Sequence, residues 1–229
     1  MSIITVRVDE KDLREVEQKL TGLKKPEAAL RTAINRVAKS TSKSLARQTV
    51  KVYRYGAGQS GINGALNFQR ASGSGASARL LYVSKVKEPR DYFLAGGISY
   101  GYRRAGEKTK RFRIKTGAAG ALYRAYSGGV RGAVLKSSSA KTFKGETGKA
   151  FIVKFKSGHV AVVSRKPNEV ASKYKGKKLT KHTQKLRAWR SPSVATIVGN
   201  EKVYGKIQPD IEREMHEEVQ KVIEKVLYG

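Results

Sequence analysis

The charge of this chain is segregated along its length, and any fold it adopts has to accommodate that. The 229 residues carry 48 Lys/Arg against 18 Asp/Glu, a formal net charge of +30. Residues 1–27 are balanced, and residues 201–229 are slightly acidic, with five cations against seven carboxylates. The block between, 28–200, holds 37 cations and only five carboxylates, Glu88, Asp91, Glu107, Glu146 and Glu169. Like charges at that density repel one another in a compact state unless an anion stands close by. Nucleic-acid phosphate is the commonest such anion, with acidic protein surface and anionic lipid as the alternatives.

Composition adds bounds. A hydrophobic fraction of 39% is below the roughly 45–50% of ordinary globular chains, so the core is expected to be modest and the loops extended. The length suits one large domain or two small ones. The pattern predicts a single domain over 1–229, interrupted at about 56–148 by a flexible, basic, Gly/Ser-rich insertion. That interval holds 17 of the 23 glycines and one proline, and segments such as Gly56–Gly64, Ala71–Ala78 and Ser127–Lys141 are small and polar. The absence of cysteine excludes disulfides, thiolate metal sites and a Cys nucleophile. No apolar run approaches the ~18 residues of a membrane span. Ile3–Val8 alternates as a strand does and offers no signal-peptide core. A protein made and used without secretion, with no membrane partner, is the expectation.

Hydrophobic periodicity places the main elements. Leu13, Val16, Leu20 and Leu23 predict a short helix over Glu10–Thr21, with Asp9 as its cap. Leu30, Ile34, Val37, Thr41, Leu45, Gln48 and Val52 fall on one side of a long helix from about Pro26 to Val52. Arg36, Lys39, Lys43, Arg47, Lys51 and Arg54 fall opposite, six cations with no interleaved carboxylate. Helices ordinarily offset such a row with Glu or Asp one turn away. The row is either a solvated face or a surface presented to phosphate or an acidic neighbour. Strand-like runs follow at Arg79–Lys87, Asp91–Leu94, Ile98–Tyr102 and Lys108–Lys115, the last a candidate β-hairpin arm carrying Lys108, Lys110, Arg111, Arg113 and Lys115. Ala150–Val163 reads as a hairpin turning at Ser157-Gly158. Arg165–Arg190 is a further basic stretch. A last helix is predicted from about Gln208 to Leu227, with Pro209 in its first turn and Glu212, Glu214, Glu217, Glu218 and Glu224 on its outer face. Together these predict an α+β fold, the long basic helix and the C-terminal helix packed on a small, mostly antiparallel sheet.

Little in the chain points to catalysis. His159, His182 and His216 have no partner at metal-ligand spacing, so neither a metal nor a cofactor is expected. Five carboxylates over 28–200 give scant material for paired acid/base chemistry, and Glu88 and Asp91, flanking Pro89-Arg90, read best as turn caps. Gly56-Ala57-Gly58-Gln59-Ser60-Gly61 spells a dinucleotide fingerprint without its strand–turn–helix context. No P-loop or nucleophile elbow occurs. Tyr53, Tyr55, Tyr92, Tyr100, Tyr102, Tyr123 and Tyr126 lie among Arg and Lys. Such interleaving stacks bases or anchors a protein interface. Tyr100, Tyr102, Phe112 and Trp189 are the candidate interface anchors, Trp189 being equally a core candidate.

Four stretches taken in order resemble one family. Ala29-Leu30-Arg31-Thr32-Ala33-Ile34-Asn35-Arg36-Val37-Ala38 opens the long helix that leads to Tyr53. Phe151 to Val160 is a hairpin with a Lys156-Ser157-Gly158-His159 turn. Trp189-Arg190-Ser191-Pro192-Ser193-Val194 resembles a Gly-Pro-Ser-Val segment with Ser191 in place of the glycine, and Ile211-Glu212-Arg213-Glu214-Met215 lies in the terminal helix. Their order and spacing resemble the prophage minor tail protein Z family, over about half the chain. That resemblance implies a non-enzymatic tail-completion protein of long-tailed bacteriophages. It would sit in the virion neck, after assembly in the host cytoplasm, as a homo-oligomeric, hexameric ring at the head-proximal end of the tail. Its partners would be the tail terminator, tube and head-completion proteins, with non-specific contact to genomic DNA. The acidic face Glu212, Glu214, Glu217 and Glu218 is then expected to pair with the basic row of an adjacent copy. The competing expectations are a free nucleic-acid-binding protein, ribosome- or nucleoid-associated, and an enzyme acting on a polyanion.

Overall fold

The computed structural model describes residues 2–8, 14, 26–72, 77–95, 99–100, 129–155, 159–180 and 183–228. In chain order the elements are β1 (Ser2–Arg7), α1 (Pro26–Val52), α2 (Gly58–Asn63), β2 (Leu66–Gln69), β3 (Ser77–Tyr82), β4 (Phe93–Ala95), β5 (Ser99–Tyr100), β6 (Arg131–Ala133), β7 (Lys141–Thr142), β8 (Lys144–Gly145), β9 (Gly148–Lys149), β10 (Phe151–Lys154), β11 (Val160–Val170), β12 (Gln184–Ala188), α3 (Val194–Val198) and α4 (Glu201–Tyr228). Single 3₁₀ turns occur at Pro89–Asp91 and Ser172–Tyr174. The fold is α+β. The helix predicted over Glu10–Thr21 lies outside the described residues but for Arg14, as does the Lys108–Lys115 arm.

Backbone packing divides the chain into two compact units. The first comprises Met1–Lys51, Gln59–Lys85 and Ser193–Gly229, and the second Val52–Gly58 and Val86–Pro192. The interval 56–148, read from sequence as one insertion, is therefore shared between the units. Its β2 and β3 complete the sheet of the first, and its β4 to β9 belong to the second.

In the first unit β3 lies between β1 and β2, antiparallel to both. Ile4, Val6 and Val8 are buried while Ile3, Thr5 and Arg7 are exposed, the period-two pattern of a sheet with one covered face. From β3, Ala78, Leu80 and Tyr82 join that buried face. α3 packs against β1 and β3 with Val194, Ala195, Ile197 and Val198 all buried. The Ser193 hydroxyl caps α3 by accepting from the Thr196 backbone N–H at 3.1 Å.

The long helices follow their apolar periods. In α1, Leu30, Ile34, Val37 and Leu45 are at most 7% exposed. In α4 the buried row is Val203, Ile207, Met215, Val219 and Ile223. α4 starts a turn and more before the expected Gln208, and Pro209 lies inside it rather than in its first turn. The start is set by Asn200, whose side-chain oxygen accepts from Lys202 N–H at 3.0 Å, and Val203 and Ile207 carry the apolar row back to it. The proline denies a partner only to the carbonyl one turn earlier, at Gly205, where both residues are exposed and water can serve.

The second unit is built on a four-stranded sheet in the order β12-β11-β10-β5. β10 and β11 form the expected hairpin, with Phe151 opposite Val163 and Ile152 opposite Val162. β5 adds parallel to β10. Both faces of the hairpin are covered. Ile152 and Val162 join Leu94, Val130 and Ala150 on one side, and Phe151, Ala161 and Val163 cluster on the other. The basic stretch after Arg165, unassigned from sequence, continues β11 to Val170 and returns as β12. Pro167 sits where the register breaks between Arg165 and Val170, and Asn168 takes a left-handed φ of 56° there. A proline that cannot donate to the ladder is tolerated at such a break. β4-β6-β7 and β8-β9 form two further small antiparallel sheets.

Candidate polyanion-binding surface

The basic row of α1 is largely where its period puts it. Burying Leu30, Ile34, Val37 and Leu45 turns the opposite strip of the helix to solvent. Arg36, Lys39, Lys43, Arg47 and Lys51 are all exposed on that strip. Four of them, Lys39, Lys43, Arg47 and Lys51, stand four residues apart, about 6 Å per step along the axis. Among the described residues no ion pair reaches any of these four. The sequence has no Asp or Glu between Glu27 and Glu88, so no local carboxylate is at hand. Between the cations the strip offers the half-buried Ser40, Ser44 and Val50 and no aromatic side chain.

The fifth cation, Arg36, is engaged within the unit. Its guanidinium donates to the Glu218 carboxylate of α4 at 2.7 Å. Lys221 donates to the other Glu218 oxygen at 2.9 Å. Glu218 is only 8% exposed, because it lies one turn from both Met215 and Val222 at the edge of the apolar stripe. The Lys221 ammonium, and after it the Arg36 guanidinium, hold its carboxyl below the usual range against the opposing effect of burial. The remaining acidic face is more open. Glu212 accepts from Gln208 at 3.0 Å, Glu217 stands 3.9 Å from Arg213, and Arg213 pairs with Asp210 at 2.7 Å. The basic-to-acidic pairing expected between copies is thus made once inside a single chain.

The other sequence-predicted residues scatter. Arg54 lies beyond the end of α1. Its side chain donates to the carbonyls of Leu135 and Lys136 and covers the Phe93 ring at 5.0 Å, so it holds the second unit together. Lys108, Lys110, Arg111, Phe112, Arg113, Lys115, Tyr102, Tyr123, Tyr126 and His182 lie outside the described residues. Tyr100 is placed by its backbone, opposite Val153. Trp189 is half-buried, packs on the cluster around Ile152, and meets Phe143 at 5.1 Å between ring centroids.

Three of the tyrosines read as base-stacking or interface candidates are core residues instead. Tyr53, Tyr55 and Tyr92 are at most 7% exposed. Tyr92 donates its hydroxyl to the Pro192 carbonyl at 2.8 Å and packs against Tyr55 at 5.6 Å. Burial pushes the phenols of Tyr53 and Tyr92 upward, with Tyr55 adding to the effect on Tyr92. Rings enclosed in this way present no face to a base.

Four of the five central carboxylates have local partners. Asp91 accepts from the Glu88 backbone N–H at 2.9 Å, closing the turn expected there. Glu88 is buried and meets His159 Nε2 at 2.8 Å and Arg90 Nε at 3.1 Å. Glu169 bridges Lys166 at 2.7 Å and Lys185 at 2.9 Å, and those two ammoniums, Lys166 first, hold its carboxyl low. Glu146 stands 3.7 Å from Arg187. Glu107 lies outside the described residues. Among the described residues no group of three or more His, Asp and Glu is arranged to hold a metal ion, and no helix is long and apolar enough to cross a membrane. The Gly56–Gly61 stretch runs from a turn into the short helix α2 with no strand before it, which is not a dinucleotide cradle.

Sequence reasoning missed the Arg36–Glu218 pair and the Glu88–His159 pair, both formed between residues far apart in the chain. The one available signal for the first was that Glu218 sits at helical spacing from Met215 and Val222. Comparison with protein-family models, with curated proteins and with solved structures finds no match to this chain.

Proposed function

We propose that this chain is a structural, non-enzymatic subunit of a phage neck, similar in role to the minor tail protein Z family. In this reading several copies close into a ring at the head-proximal end of the tail and join it to the head around the DNA path. The observation that carries the reading is the strip Lys39, Lys43, Arg47 and Lys51, exposed, aligned and, among the described residues, met by no carboxylate. A subunit with that surface gains stability in an assembly that supplies the missing anion. The order of the four resembling stretches supports the particular assembly. Negative-stain micrographs of the purified protein test it: annular particles with an open centre are the expected result, and featureless single subunits at every protein concentration refute it.

A second reading, a free nucleic-acid-binding protein, is favoured by the same strip. It predicts tight duplex binding by the monomer and no incorporation when tails are assembled in its presence. The neck reading predicts incorporation into the particle.

A further inference from the structure

We infer that the exposed strip of α1 binds the phosphate backbone of double-stranded nucleic acid, without reading its sequence. The inference deepens the neck reading by assigning this surface its partner, and the experiment below separates its failure from failure of the ring.

Three observations favour a duplex backbone over an acidic protein or a single strand. First, the strip is made of what phosphate contacts are made of. Lys39, Lys43, Arg47 and Lys51 alternate with Ser40 and Ser44, and Lys, Arg and Ser side chains are among the usual donors to DNA phosphate. Second, the strip lacks what a protein interface needs. Protein–protein contacts centre on buried aromatic or aliphatic anchors and are depleted in lysine. This strip has three lysines, no aromatic residue, and only the half-buried Val50 as an aliphatic side chain. Third, single strands are held by aromatic stacking. No aromatic residue lies on the strip, and Tyr53 and Tyr55, which follow α1 in the chain, are buried.

The internal pairing of α4 points the same way. Arg36, the one cation of the row that meets a carboxylate, is satisfied by Glu218 within its own unit. Among the described residues the four beyond it have no such partner, and they extend over about 18 Å of helix. The Asn35 side chain exchanges two hydrogen bonds with Ala71, at 2.8 and 3.2 Å, and the exposed Arg70 adjoins that anchor in the chain. The chain beside Arg70 is thereby tied to α1 next to Arg36. Phosphate contacts carry no sequence information, so affinity for this strip should follow charge and not sequence.

The test is binding of the full chain to a fluorescent mixed-sequence duplex of about 20 base pairs, by anisotropy, from about 50 to about 300 mM salt. Each backbone contact contributes about 0.9 to the slope of log affinity against log salt. The quadruple variant Lys39→Gln, Lys43→Gln, Arg47→Gln, Lys51→Gln should lose about 3 to 4 from that slope, and at least tenfold in affinity at the lowest salt. The matched control Lys175→Gln, Lys177→Gln, Lys178→Gln, Lys206→Gln removes four exposed cations elsewhere and should change the slope by less than about 1. Lys39→Arg, Lys43→Arg, Lys51→Arg should bind as the parent does. All variants alter exposed side chains, and helical circular dichroism confirms folding. Equal slopes for the strip variant and the control overturn the inference. So does loss of binding to polyglutamate with duplex binding intact, which assigns the strip to an acidic protein. A ring whose duplex affinity is indifferent to the strip refutes this partner and leaves the ring standing.

Discussion

Glu218 shows how one side chain decides what the acidic helix can do. It is the buried member of the α4 acidic face, and it is spent on Arg36 and Lys221. Both partners are more than half exposed, so the pairs are screened and each is modest in strength. Glu218→Gln is expected to lower stability by about 1 kcal/mol at neutral pH. The pH dependence follows from the direction of the shift. A carboxyl held lower in the folded state contributes stability above its unfolded titration, near pH 4.5, and that contribution is lost as pH falls through the folded value. Urea unfolding from about pH 7 to about pH 3 should therefore show parent and variant converging at the acid end. A difference that persists at acid pH would assign the loss to packing instead.

Gly132 is a second residue whose identity is set by space. A Cβ there would stand 2.7 Å from the Phe143 ring and 3.1 Å from the Phe93 carbonyl. Phe143 is itself packed on Trp189. Gly132→Ala must displace that ring and should cost about 1–3 kcal/mol. Because Trp189 is the chain's one tryptophan, its emission reports the loss directly as a lower denaturant midpoint. An unshifted midpoint would mean that the β4-β6 pairing yields without cost.

At the scale of elements, α1 carries two opposite expectations on one face. Leu45 is fully buried, and Leu45→Ala should cost about 2–5 kcal/mol. Thr41 is on the same face, and its buried hydroxyl oxygen has no hydrogen-bond partner. Thr41→Val removes that orphan and is expected to stabilise by about 1 kcal/mol. Thermal unfolding of the two variants checks the pair, and a large loss in Thr41→Val would show that the hydroxyl is satisfied in solution.

This helix was also the element most legible in the sequence, because a 3.6-residue apolar period and an uninterrupted basic row are local properties. β1 and the β10–β11 hairpin were legible for the same reason. In the glycine-rich middle the runs at 79–87, 91–94 and 98–102 were legible and overlap β3, β4 and β5, whereas β2 and β6 to β9, of two to four residues, are too short to show a period and are placed by their partners. The start of α4 was misread because Pro209 is a stronger local signal than the Asn200 cap. The burial of Tyr53, Tyr55 and Tyr92 was invisible because their sequence neighbours are cations, and only tertiary packing removes the rings from the surface. Of the candidate site, the strip was legible, whereas the internal engagement of Arg36 and Arg54 was not.

At the scale of the whole molecule, the account depends on a chain of net charge +30 being completed by something outside itself. Copies joined head to tail can close into a ring, and a ring concentrates the strips of its subunits about one axis. On α4, Glu212, Glu214 and Glu217 take no part in the Glu218 pairing with Arg36 and Lys221, and in the proposed ring they would be the acidic groups offered to an adjacent copy. The native mass of the purified chain in low-salt volatile buffer tests the claim most directly. The account predicts one dominant species at a fixed integer multiple, greater than two, of the 25.2 kDa subunit. A single species at 25.2 kDa, unchanged by protein concentration, would contradict it.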